Sequence, residues 1–225
     1  MQNATNEAQV IEKGSYVSVP SQTQSVYLAA KRTVDIVGSL IGIILLLPVL
    51  ILVALLIKLE DPKGPILFKQ QRVGKNGRPF NMYKFRSMVS NAEELLEQLL
   101  NKNEVSGHMF KMKEDPRITK IGKWIRKTSL DELPQLMNVL KGEMSLVGPR
   151  PPLPREVKEY NAYHMKRLEV TPGCTGLWQV SGRNSVGFEE MVEMDLKYIS
   201  ERSFFYDIGL IFKTFIVLFR PNDAF

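Results

Sequence analysis

Between Ile36 and Ile57 the chain runs for 22 residues without a charge. As a straight helix this run would reach ~33 Å, enough to cross a ~30 Å hydrocarbon core. It starts too far into the chain, is too long and lacks the small-residue cleavage site of a signal peptide. Pro48 divides it into arms of 12 and 9 residues, roughly 18 and 14 Å, each about half the core. Proline removes a helical hydrogen bond and clashes with the carbonyl four residues back, so a bend is expected there. Lys31 and Arg32 flank one end, and a basic segment flanks the other. Basic residues prefer the cytoplasmic side of a membrane. If both ends obey, the run enters and returns on one face, as a re-entrant helix–break–helix hairpin over residues 34–58 with Pro48 as its hinge. A single spanning helix is the competing reading. The backbone freed at the bend must find partners within the protein, since lipid offers none.

The charge distribution supports a membrane setting. Residues 58–90 hold eight basic side chains against Glu60 and Asp61, a net +6 that equals the excess of the whole chain. A polybasic segment beside a membrane insertion faces anionic lipid headgroups. A nucleic-acid footprint is the other reading of such a cluster, and the long uncharged run argues against it. Apolar residues at 44% and charged residues at 24% exclude wholesale disorder and fibrous repeats. One cysteine, Cys174, excludes an intrachain disulfide framework and multi-cysteine metal sites. His108 and His164 are too far apart to form a local metal pair and read as surface residues. Any catalysis must rest on carboxylates, Arg, Lys and hydroxyls.

The remaining pattern predicts a helix-rich α+β fold. Residues 1–30 form a mobile polar segment and 31–225 a single membrane-anchored domain, with its catalytic portion over 59–225. Asn76-Gly77 between short apolar runs signals a β-hairpin. Ser90 with Glu93 opens a helix. Short helices are expected around Ile121–Ile125, over 131–141 with a stop at Gly142, and over 188–199. Residues 149–154 and 171–187 read as loops. Ile208–Phe219 is apolar but too short to span; an interfacial helix and a core helix fit it equally.

No nucleotide-binding glycine motif and no nucleophile elbow is present. The most informative string is Arg126-Lys127-Thr128-Ser129-Leu130-Asp131-Glu132-Leu133-Pro134. With Asp131 as N-cap, Pro134 falls at the third helical position, and two acids sit where a helix N-terminus also attracts phosphate. Ser129 with Glu132 is equally a structural capping box. Asp115-Pro116-Arg117 and Gly148-Pro149-Arg150-Pro151-Pro152 put arginines on proline-stiffened loops suited to phosphate, or form plain turns. Lys84-Phe85-Arg86 is a basic–aromatic–basic strand segment. Gly173, Gly176 and Gly182 around Trp178, ending in Arg183, form a binding loop or a tight structural one.

Taken in order, these strings resemble one family, the monotopic phosphoglycosyl transferases, which are bacterial sugar transferases acting on polyprenyl phosphate. The resemblance runs from about Lys31 to Arg220. It rests on Lys31-Arg32-x-x-Asp35; Gly64-Pro65 with Gln71-Arg72-Val73-Gly74; Lys84-Phe85-Arg86-Ser87-Met88; Thr119-Lys120-Ile121-Gly122; Ser129 to Gln135; Lys141 to Pro151; and Pro172-Gly173 with Thr175 to Arg183. It implies a re-entrant N-terminal membrane hairpin packed with a small cytosolic-face domain, which contains a short β-hairpin and interfacial amphipathic helices. It implies a site at the cytoplasmic face of the bacterial inner membrane, Mg²⁺, a UDP-sugar donor and a polyprenyl phosphate acceptor. The pathways so implied are exopolysaccharide, capsule, O-antigen or glycoprotein glycan assembly. By the same resemblance Asp131 is the nucleophile and Glu132 aids metal or proton handling, both serving as metal ligands. Arg126 and Arg150 match phosphate- or nucleotide-binding positions, with Pro149-Arg150-Pro151 as the nucleotide-recognition turn; Lys84, Arg86 and Arg183 are further substrate-binding candidates. One departure stands out: the hinge is Leu47-Pro48, where the family often has Ser-Pro, so no hydroxyl is at hand for a freed carbonyl.

The implied reaction moves a sugar-1-phosphate from UDP to a lipid phosphate. An aspartyl-phosphate intermediate suits this exchange, because it splits one difficult step into two. Mg²⁺ and arginines would lower the repulsion between carboxylate and diphosphate. Two rivals remain: direct attack by the lipid phosphate, with Asp131 and Glu132 only holding Mg²⁺, and a non-catalytic scaffold binding anionic lipid. The identity of the sugar and the oligomeric state, homo-oligomer included, are open.

Overall fold

The computed structural model describes residues 21–99, 112, 115–181 and 186–219. It is a helix-rich α+β structure in which one long apolar helix lies along a small domain. That helix, α1, spans Ser21–Glu60 and is long and apolar enough to cross a membrane by length and composition. It begins within the stretch expected to be a mobile tail, and Tyr27 there donates a hydrogen bond to Asp207 Oδ2 at 2.9 Å. Pro48 lies inside the helix, which continues through it instead of breaking into two separate arms. An interior proline costs about 3 kcal/mol. Packing on either side offsets that cost: Gly42 abuts Leu136, while Val49, Leu50 and Val53 enter a cluster with Phe85 and Ile125.

Arg32, Asp35, Ser39, Gly42, Leu46, Val49, Val53 and Ile57 recur at three- and four-residue spacings along the more buried side of the helix. Ile41, Ile44, Leu45, Ile51, Leu52 and Leu55 form an exposed apolar face. Both ends of the helix are tied down. Arg32 donates to Val139 O at 2.6 Å and Leu140 O at 2.8 Å, and Lys31 pairs with Asp207 at 2.8 Å. Asp35 accepts from Ser145 Oγ and from the Leu146 amide. At the far end Glu60 accepts from the amides of Lys120 and Ile121, the first turn of the next-but-one helix.

Strands β1 (Leu67–Val73) and β2 (Pro79–Phe85) form the expected antiparallel hairpin, with Leu67 opposite Phe85. Its reversal uses positive φ at Asn76 (56°) and Gly77 (75°), a region these two residues tolerate best. Helix α2 covers Ala92–Leu99. Helix α3 covers Lys120–Lys127 and is capped by Thr119, whose hydroxyl accepts from the Gly122 amide. Helix α4 covers Gln135–Lys141 and stops at Gly142, φ 80°. Strands β3 (Ser145–Val147) and β4 (Gly173–Thr175) pair in parallel. Between them lie α5 (Pro154–Val157) and α6 (Ala162–Met165). Helices α7 (Leu177–Ser181), α8 (Phe188–Glu201) and α9 (Phe204–Phe219) complete the chain. The loop expected over 171–187 thus holds a strand and a short helix, because its pairing partner lies some 28 residues upstream and leaves no local signal. Helix α9 buries Leu210 and exposes Phe205, Phe212, Phe215 and Ile216. His164, expected at the surface, is buried edge-on against Phe188; His108 lies outside the described residues.

Candidate active site

Side chains from four regions line one cleft of about 320 Å³ that opens to solvent. The hairpin supplies Arg72, Met82 and Lys84, and the segment before and into α4 supplies Glu132 and Gln135. The proline turn supplies Arg150 and Pro151, and β4 with α7 supplies Cys174 and Gln179.

The acidic wall is built by a short 3₁₀ turn, Leu130–Glu132. Pro134 has no amide hydrogen to donate, and α4 starts only after it, with Pro134 itself as N-cap. The two acids therefore precede the helix and do not occupy its first turn, as the sequence had suggested. Ser129 makes no side-chain cap bond, so the expected Ser129–Glu132 capping box is not formed. Instead Ser129 adopts a left-handed conformation, φ 56°, ψ 17°. A turn with three residues per revolution separates neighbouring side chains by about 120°. Asp131 accordingly turns inward and is 8% exposed, while the Glu132 side chain is 39% exposed.

These neighbours differ electrostatically. Burial pushes the Asp131 carboxyl up to about 6; the Glu132 charge adds to the effect, and Lys84 and Arg126 oppose it. Partial burial of Glu132 works the same way, but Lys84, Arg150 and hydrogen bonds from Lys84 and Gln135 outweigh it and hold this carboxyl below its usual range. The Lys84 Nζ to Glu132 Oε1 distance is 2.6 Å.

The opposite wall is the turn Pro149–Pro152. Three of its four residues are prolines, which cannot donate to a ladder, so its carbonyls depend on outside donors. The Gly173 amide donates to Pro149 O at 2.9 Å, and the Val73 amide to Pro152 O at 3.0 Å. Arg167 Nη2 reaches Arg150 O at 3.4 Å and Arg72 Nη1 donates to Pro151 O at 2.9 Å. Gly148 and Gly173 permit this approach: a Cβ on Gly173 would lie 2.0 Å from the Gly148 nitrogen. The braced backbone leaves the exposed Arg150 side chain at the cleft.

The structure thus brings Lys84, Glu132, Arg150 and Pro151 together, with Asp131 beside Glu132 and Pro149 anchoring the turn. Arg126 is exposed in the last turn of α3 and acts on Asp131 and Asp115 through its charge. Arg86 goes elsewhere: its guanidinium holds Asp61 at 3.0 Å and is absent from the cleft lining. Alternation along the strand carries no trace of the Asp61 loop that claims it. Arg117 is likewise engaged, with the carboxylate of Asp115 at 2.6 Å. Arg183 lies outside the described residues. Gln135, Gln179 and Arg72 were not named as site residues, though each lies in a string that carries the resemblance: Ser129 to Gln135, Thr175 to Arg183, and Gln71-Arg72-Val73-Gly74.

The family model for bacterial sugar transferases matches residues 26–221. The chain belongs to that family. It is 51% identical over 199 residues to a galactosyl transferase, CpsE, of Streptococcus agalactiae, covering 88% of this chain and 44% of that protein. It is 47% identical over 199 residues to the undecaprenyl-phosphate galactose phosphotransferase of Salmonella typhimurium, covering 87% of this chain and 41% of that one. To the exopolysaccharide production protein ExoY of Rhizobium meliloti it is 39% identical over 189 residues, with 82% and 83% covered. The chain therefore spans less than half the length of the first two relatives.

Mg²⁺ is an expectation drawn from the resemblance in sequence, and the donor set can be tested against it. Among the described residues no three His, Cys, Asp or Glu side chains cluster into a metal cage. Mg²⁺ does not require one: it is held by one or two carboxylates together with substrate phosphates and water. The buried carboxyl of Asp131 and the adjacent Glu132 form such a pair of oxygen donors, so the residues present fit the ion.

Proposed function

We propose that the chain transfers a sugar-1-phosphate from a UDP-sugar to a polyprenyl phosphate at the cytoplasmic face of the membrane, releasing UMP. The observation that carries this reading is a desolvated carboxyl, Asp131, set beside a cation-lined cleft on a domain fastened to both ends of an apolar helix. The soluble donor and the lipid acceptor can meet only at such a boundary.

The attachment of α1 supports an anchor whose two ends lie on one face of the membrane. Lys31, Arg32 and Asp35 before the apolar run, and Glu60 after it, bond to the same domain. A helix crossing the bilayer would carry those anchors to opposite faces, and the charged domain between them would have to sit in hydrocarbon, which is prohibitively costly. The exposed apolar face of α1 is the surface offered to lipid.

In the proposed reaction an Asp131 oxygen attacks the phosphorus that carries the sugar. The bond from that phosphorus to the bridging oxygen breaks, and UMP leaves with the electron pair. A phosphate oxygen of the lipid then attacks the same phosphorus, breaks the acyl–phosphate bond and regenerates the carboxylate. A desolvated carboxylate is the better nucleophile, and Lys84 and Arg150 stabilise charge on the leaving phosphate. Mg²⁺ held by Asp131 and Glu132 would supply neutralisation of the diphosphate when bound. One feature favours direct attack by the lipid phosphate instead: Glu132 lines the cleft wall and Asp131 does not.

Isotope exchange between UMP and a UDP-sugar, without lipid acceptor, separates the two courses. The covalent course predicts exchange in the parent and none in Asp131→Asn. Turnover without lipid-free exchange would overturn it. Because relatives carry galactose, glucose and N-acetylgalactosamine names, the donors to compare are UDP-galactose, UDP-glucose and UDP-N-acetylgalactosamine.

A further inference from the structure

Arg72 is buried, 6% exposed, yet no carboxylate lies within ion-pair distance of it among the described residues. Its hydrogen-bond partners are neutral acceptors. Nε and Nη2 donate to Gln70 Oε1 at 3.1 and 2.6 Å, and Nη1 donates to Pro151 O at 2.9 Å. A guanidinium has five N–H groups in a fixed fork. Three are used here, so two remain, one on each terminal nitrogen. Every other buried arginine of the described residues has an acid: Arg86 has Asp61, Arg117 has Asp115 and Arg167 has Asp195. An uncompensated buried cation is costly unless something neutralises it. Burial and the neighbouring charge of Arg150 pull the Arg72 pKa down to about 10, even against the opposing charges of Glu156 and Glu132, neither of which pairs with it. The residues lining the cleft carry three cations, Arg72, Lys84 and Arg150, against one carboxylate, Glu132, and Lys84 is already paired.

We propose that Arg72 is a phosphate-binding residue, which with Arg150 forms a two-guanidinium clamp for a phosphate or diphosphate group of the substrate. The pair is mechanically linked, because Arg72 grips the carbonyl of Pro151, the residue next to Arg150. Two terminal N–H groups on a rigid plane match two phosphate oxygens, a geometry that lysine cannot reproduce. This assignment rests on the sugar-phosphate transfer reading and adds to it the residue that closes the anion site from the hairpin side.

The test is binding to the purified full chain in nanodiscs, which needs no turnover. The affinities of uridine, UMP, UDP and undecaprenyl phosphate are measured for the parent, Arg72→Gln and Arg72→Lys, with melting curves showing that each variant is folded. Direct contact predicts a loss of roughly tenfold or more in Arg72→Gln that grows with the number of phosphates and is absent for uridine. It also predicts only partial recovery in Arg72→Lys. A loss confined to UMP and UDP assigns the clamp to the soluble nucleotide; a loss confined to the lipid assigns it to the acceptor. Unchanged affinity for both, or an equal loss for uridine and UDP, overturns the proposal, the latter because it would mean that Arg72 only shapes the turn. Failure of the parent to bind UDP at all would instead remove the donor assignment on which the clamp rests.

Discussion

At Pro149–Pro152 every carbonyl has a donor from another part of the chain. At Ser129–Glu132 the backbone bonds only locally: the Glu132 amide donates to Ser129 O, and the Leu133 amide to Leu130 O. The first turn is braced from outside and presents a cation. The second carries a left-handed serine and a carboxyl whose burial opposes its own charge. One wall of the cleft is thus a stable frame, and the other keeps unfavourable features at the position where chemistry is proposed, as strained and desolvated groups at functional sites do. The contrast predicts that changes at the acidic turn cost activity with little loss of stability, and that changes behind the proline turn cost both.

The sharpest test is Asp131→Asn. Turnover should fall by on the order of 10³ or more, since the proposed nucleophile is gone. Stability should rise at neutral pH. Asp131 has a folded pKa of about 6 against an ordinary 3.8, so the folded state binds its proton more tightly. The stabilisation that proton gives is complete below about 3.8 and is lost as pH rises through about 6. Above that pH the buried charge costs on the order of 2–3 kcal/mol, and asparagine does not carry it. Melting curves at pH 7.5 should favour the variant, and curves at pH 4 should converge. A variant less stable than the parent at pH 7.5 would break the contrast.

Arg167→Met probes the braced side. It leaves Asp195, which is fully buried, without its partner at 2.7 Å, a change worth about 3–5 kcal/mol. It also removes the donor to Arg150 O. The expected outcome is a lower unfolding midpoint together with weaker UDP binding, read by denaturant titration and calorimetry. Loss of stability with nucleotide affinity intact would show that the turn needs no brace from Arg167.

A smaller effect is the acid limb of activity. If ionised Asp131 attacks, kcat/KM should fall about tenfold per pH unit below pH ~6. The limb should move toward lower pH in Glu132→Gln, because the Glu132 charge helps to raise the Asp131 pKa. A limb that stays in place would mean that another group controls it.

The two turns also differ in how far the sequence exposes them. The proline turn was legible because its stiffness is covalent, and the hairpin was legible because Asn76-Gly77 is a local signal. The helix stop at Gly142 was equally local. What the sequence concealed was tertiary. The Asp61 partner of Arg86, the parallel β3–β4 pairing and the continuation of α1 past Pro48 all depend on contacts with distant residues. At the acidic turn the residues were right and the geometry was not. Pro134 displaced the start of the helix, and a pattern that matches a capping box became a left-handed serine ahead of a 3₁₀ turn.

That serine gives the finest test. At φ 56° a Cβ is unfavourable by about 1 kcal/mol, and glycine would relieve it. Glycine also gives the unfolded chain more freedom, which costs about 0.4–1 kcal/mol. Ser129 makes no side-chain cap bond, so no interaction is lost with the hydroxyl. The two effects nearly cancel, and Ser129→Gly should change unfolding free energy by less than about 1 kcal/mol. Its activity then reports on the strain itself. If the left-handed residue serves only to complete the turn, glycine holds the same backbone and kcat is unchanged. If the stiffness of a side chain at that angle keeps Asp131 aimed inward, kcat falls severalfold at unchanged stability, and Ser129→Asn, which tolerates the same φ, restores it.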